Sequence, residues 1–102
     1  MLVERETFEA KSGRVVPDLV ALVKSLDERW SSITSVARPY RVYTSRWGGA
    51  GNRVIAEFDW ESQAELGEAW DRWNAAPLDA TFQEKWYQVI DHVSNSELLE
   101  LK

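Results

Sequence analysis

Three features of the chain point to an α+β domain built on one antiparallel sheet. The stretch Tyr40–Trp60 alternates at period two on either side of a glycine-rich turn; segments flanking it repeat apolar residues at helical spacing; and both ends of the chain alternate again. The order is strand, helix, strand, strand, helix, strand. A length of 102 residues is near the common domain size and leaves room for one modest core, so residues 1–102 read as a single domain.

The opening strand covers Leu2 to Ala10, where Leu2, Glu4, Glu6 and Phe8 alternate with Val3, Arg5, Thr7 and Glu9, and neither face is purely apolar. Lys11-Ser12-Gly13-Arg14 makes a turn. Pro17 then stands where a first helical residue would, its missing N–H costing nothing there. Leu19, Leu22, Val23, Leu26, Trp30 and Ile33 recur at helical spacing, so an amphipathic helix follows. It is expected to stop between Ser31 and Ser35, where hydroxyls compete for backbone hydrogen bonds, and Arg38-Pro39 leads into the second strand.

In the central hairpin Tyr40, Val42 and Thr44 share one face, and after the turn Val54, Ala56, Phe58 and Trp60 share one. Gly48, Gly49, Gly51 and Asn52 tolerate positive φ, so a loop of roughly four or five residues is expected. Ser62-Gln63-Ala64-Glu65 matches a capping box, which starts a second helix at Gln63. Leu66, Ala69, Trp70 and Trp73 form its apolar stripe. Pro77 interrupts this region, either kinking one helix or separating two, before Leu78, Phe82, Trp86, Val89 and Ile90 resume the spacing. Asp91–Ser96 reads as a polar loop, and Glu97–Leu101 as a short closing strand.

With a hairpin between the second and third strands, the simplest assembly is a four-stranded antiparallel sheet with the helices on one face, the ferredoxin-like βαββαβ arrangement. One helical layer covers one side only. The other side carries large residues as well, Tyr43 and Ile55 among them, so a partner sheet is expected to cover it.

The composition narrows the function. Net charge is −5 and the pI about 4.8, so nucleic acid and anionic membranes are unfavourable partners. There is no cysteine and only one histidine, which removes thiol chemistry, thiolate metal sites and multi-histidine metal sites within one chain. The beginning, MLVERETFE, lacks the pattern of a signal peptide, no stretch has the apolar length of a membrane span, and a cytoplasmic protein is expected.

Few residues suggest chemistry. GGAG at residues 48–51 precedes a strand rather than a helix, so it reads as a turn and not a phosphate cradle. His92 is the single side chain with an unperturbed pKa near neutrality, and it falls in the loop expected before the last strand. Six tryptophans are many for so small a core, and some are expected to line a cavity or an interface. Glu4, Arg5, Glu6, Arg41, Arg46, Arg53, Glu57 and Asp59 put charge on strands, where each must be paired across the sheet or face a wet pocket.

The strand–turn RETFEAKSGR, the helix after it, RVYTSRWGG, VIAEFDW and the Trp-rich second helical region together resemble the dimeric α/β barrel superfamily, and within it the NIPSNAP-like proteins. The resemblance implies two ferredoxin-like subunits packed sheet to sheet, with a cleft between sheet and helices that holds a small molecule. It implies no catalytic residue, and no cofactor is expected. The leading expectation is therefore a homodimer binding an apolar or aromatic ligand, lined by Tyr43, Trp70, Trp73 and Trp86, with Arg46 or His92 as polar contacts. A cofactor-independent monooxygenase acting on an aromatic substrate is the alternative, although such relatives often use an asparagine on the opening strand and residues 2–10 contain none. The third expectation is a structural dimer whose aromatics close the core.

Overall fold

Leu2–Ala10 forms the strand β1, and its central position follows from pairing on both edges. It runs antiparallel to β3 (Arg53–Trp60) on one side and to β4 (Ile90–Glu100) on the other, while β2 (Tyr40–Thr44) pairs with β3. The sheet order is β2-β3-β1-β4, that of the ferredoxin-like fold. A computed structural model describes residues 1–12, 17–33, 39–48, 51–76 and 79–102, with the backbone alone at 91–94.

Register sorts the side chains into two faces, because residues directly opposite across a ladder point the same way. Leu2, Glu4, Glu6 and Phe8 lie opposite Trp60, Phe58, Ala56 and Val54, and this face meets the helices. Val3, Arg5, Thr7 and Glu9 lie opposite Asp59, Glu57, Ile55 and Arg53, on a face over which no described element lies. Helix α1 (Pro17–Ile33) buries Leu19, Leu22, Val23, Leu26 and Trp30 against the first face. Each such side chain contributes about 1.5–3 kcal/mol through removal from water, which is why the stripe and not the helix propensity anchors α1.

The second helical region is two helices, α2 (Gln63–Ala75) and α3 (Ala80–Val89). Ser62 caps α2 by accepting from the Glu65 N–H at 3.1 Å, as the capping pattern requires, while Glu65 accepts from the N–H of Glu61, one residue before the expected donor. Asp79 caps α3 through the N–H groups of Thr81 and Phe82. The break thus has its own cap, so α3 is a separate helix; Pro77 and Leu78 lie outside the described residues.

Two expectations need correction. Asp91–Ser96 is not a loop, and the closing strand does not begin at Glu97: β4 starts at Ile90 and pairs with β1 along its length, His92 opposite Glu9 and Ser96 opposite Glu6. Register shifts between Thr7 and Phe8 and between Glu9 and Ala10 break the alternation, and an edge strand tolerates polar residues on both faces. The hairpin connection is also longer than expected, running from Ser45 to Asn52. Among its described residues Gly48 alone has positive φ, at 81°. Asn52 instead ties the turn to β1 by accepting from the Ala10 N–H at 2.9 Å. Among the described residues no helix is long and apolar enough to cross a membrane.

Candidate functional site

Glu4 and Glu6 are two residues apart on β1, so they share the face that meets the helices. Opposite Glu6 stands Ala56, whose small side chain leaves the space above the sheet to the carboxyl group. Glu4 is 5% exposed and accepts from two indoles: Trp60 Nε1 donates at 3.0 Å, and Trp70 Nε1 donates to both carboxylate oxygens at 3.0 and 3.1 Å. Burial raises the Glu4 pKa, and the hydrogen bonds from Trp70, Trp60 and Glu6 only partly oppose it. Glu6, half-buried, is pushed up to about 8 by burial first and by the charge of Glu4 second. The hydrogen bond between the two lowers the Glu4 pKa and raises that of Glu6, so Glu6 is the member that holds the proton the pair retains and donates it to Glu4. Tyr40 lies near the pair; burial, and the charge that Glu6 and Asp27 carry in the alkaline range where a phenol titrates, hold its hydroxyl protonated, and it donates to the Val23 carbonyl at 2.8 Å.

The indoles around this pair are themselves fixed. Trp30 stacks on Trp73 with centroids 4.3 Å apart and meets Trp70 edge-on at 5.0 Å and Trp60 at 5.7 Å. Arg29 lies over Trp73 at 4.4 Å and donates to the carbonyls of Trp73 and Ala76, tying α1 to the end of α2. Rings locked on several sides cannot swing away from Glu4 without opening the core. An open cleft of about 410 Å³ lies on the outer side of this layer, between α1 and α3, lined by Leu26, Arg29, Asp79 and Phe82 among others.

The opposite face of the sheet pairs its charges. Arg5 Nε donates to Glu57 at 2.7 Å, Arg41 holds Asp59 in a two-point contact at 2.7 and 3.1 Å, and Arg41 and the Tyr43 hydroxyl reach Glu57 at 3.4 and 3.2 Å. Burial alone would raise the Glu57 pKa, but the bonds from Arg5, Tyr43 and Arg41 outweigh it and leave it below the usual range. Shallow hollows of about 510 and 280 Å³ flank this network, bounded by Tyr43 and Ile55 on one side and by Val3 and Leu99 on the other.

The residues singled out from the sequence fall in several places. Trp70 and Trp73 meet around Trp30, and Trp70 touches Glu4. Trp86 packs separately, edge-on to Phe8 at 5.3 Å and stacked on Phe82. Tyr43 lies on the far side of the sheet with the ion pairs, and Arg46 is exposed in the bend after β2. The His92 backbone belongs to β4, and its side chain lies outside the described residues. The pairing expected of the strand charges holds for Arg5, Arg41, Glu57 and Asp59, whereas Glu4 and Glu6 meet each other and two indoles. Two glutamates at i and i+2 on the face that carries Phe8 were the available signal for that site.

No family model and no curated protein matches the chain. Its fold has solved counterparts. Protein Atu4242 from Agrobacterium tumefaciens superposes with a TM-score of 0.74 at 21% identity, over 98% of this chain and 92% of that one. A NIPSNAP domain protein from Burkholderia xenovorans does so with a TM-score of 0.68 at 18% identity, over 100% and 95%. Near-complete coverage in both directions means that the whole βαββαβ unit is shared and not one motif of it, and the fold of this chain is that of a NIPSNAP-like domain.

Proposed function

We propose that the chain works as a homodimer that binds a small apolar or aromatic ligand on the helix side of the sheet, beside Glu4, Glu6 and Trp70. The carboxyl pair carries this reading. Burying two carboxyl groups with no cation beside them among the described residues is costly, and apolar side chains of similar volume would stabilise the same space better. A group retained against that cost, with aromatic rings on one side and half-buried itself, fits a ligand contact.

The other face supports the dimer. Val3, Tyr43, Ile55 and Leu99 lie there around the ion pairs, and a second copy of the sheet would bury them while leaving the arginine–carboxylate contacts intact. Native mass spectrometry of the protein as purified tests both parts. A dimer carrying a small extra mass supports the reading. A monomer at micromolar concentration overturns the dimer, and a bare chain whose thermal midpoint no aromatic compound raises overturns the ligand, since a ligand specific to the folded state must raise it.

A further inference from the structure

The helices leave part of their own side of the sheet open. Ser96 and Leu98 of β4 lie directly opposite Glu6 and Glu4 and so face the helix layer, yet Ser96 is exposed and Leu98 is 40% exposed. Glu6 is therefore flanked by packed Ala56 on one side and by an uncovered ledge on the other. Trp70, also half-buried, bounds the same spot from α2 through its contact with Glu4.

We infer that Glu6 is a ligand-binding residue for a neutral aromatic alcohol, accepting the hydrogen bond of its hydroxyl while the ring lies over Leu98 and Trp70. The inference rests on the ligand-binding reading above and adds the chemical class. Hydrogen-bond accounting leads to it. The Glu4 carboxylate already accepts from Trp60 and Trp70, and the remaining donor that reaches it is the Glu6 carboxyl. A carboxylic acid has one O–H, so once that proton is directed at Glu4 the carbonyl oxygen of Glu6 is left with lone pairs only. What it offers to the ledge is an acceptor. A bound hydroxyl satisfies it, an ether or a ketone does not, and an aromatic carboxylate meets the negative charge of Glu4 with no cation nearby among the described residues.

The probes are 2-naphthol, 2-methoxynaphthalene and 2-naphthoate, titrated at pH 7 by calorimetry. The naphthol is expected to bind about tenfold tighter than its methyl ether, the scale of one net hydrogen bond, and the naphthoate more weakly than either. Glu6→Leu should erase the difference between naphthol and ether. Glu6→Gln should keep it, because the amide N–H₂ replaces the proton given to Glu4 and the amide oxygen replaces the acceptor. Binding of naphthol and ether with equal affinity, or a Glu6→Gln protein that behaves as Glu6→Leu, overturns the assignment while leaving a ligand site in place. If none of the three probes binds, the assignment and the ligand-binding reading fall together.

Discussion

Replacing Glu6 by Gln should stabilise the domain, by an amount that grows with pH. Glu6 moves from an ordinary 4.5 to about 8 on folding, so between these values the folded state holds a proton that the unfolded state has released. A group raised in this way contributes its full stability below 4.5 and loses it as pH rises through about 8. The loss is about 1.4 kcal/mol for each pH unit, which comes to about 3 kcal/mol at pH 7 and about 4–5 kcal/mol above pH 8. Such a figure is a large part of the roughly 5–15 kcal/mol that holds a typical domain together. Glutamine keeps the shape and the donor of the neutral acid but cannot ionise in either state. Urea unfolding of both proteins, followed by tryptophan fluorescence at one protein concentration and at pH 5, 7 and 8.5, should give nearly equal stabilities at pH 5 and a widening gap above it. Two profiles that run parallel from pH 5 to 8.5 would refute the placement of the proton on Glu6.

Trp70→Phe removes one of the two indole donors to the buried Glu4 carboxylate while keeping most of the ring contact, and should cost about 1–3 kcal/mol in the same assay. Ser62→Ala and Asp79→Ala each remove a helix cap and should cost about 1 kcal/mol, additively, because the two caps serve separate helices; if α2 and α3 were one kinked helix the second loss would be negligible. Arg41→Ala removes the two-point contact with Asp59 and one of the bonds that depress the Glu57 pKa. Stability from Glu57 is present above the ordinary carboxylate pKa and lost as pH falls through the lowered one, so acid unfolding of this variant should begin at higher pH than in the parent.

The elements with a strong local cause were readable from the sequence. The apolar stripe of α1, the cap at Ser62 and the alternation around Phe8 and Val54 each depend on residues within a few positions of one another, and each lies where the spacing says. The start of β4 was not readable, because its partners are on β1 at the other end of the chain and two register shifts interrupt its alternation. The carboxyl site was half readable. Period two places Glu4 and Glu6 on one face, but their protonation is shifted by burial under the helix layer, and the donors that Glu4 meets there, Trp60 and Trp70, are 56 and 66 positions from it in the chain. The tryptophans illustrate the same limit: spacing puts Trp70 and Trp73 on one stripe, whereas only the packing of α1 onto α2 brings Trp30 between them.

The two faces of the sheet treat their carboxylates in opposite ways, and their contributions to stability therefore change in opposite directions with pH. On the open face arginines favour the ionised form of Glu57, so acid weakens that face. On the helix side burial, and at Glu6 the charge of Glu4 as well, favour a retained proton, so base weakens that layer. The Glu57 contribution is lost as pH falls below the ordinary carboxylate range and the Glu6 contribution as pH rises above it, so these two groups pull the stability of the two faces in opposite directions.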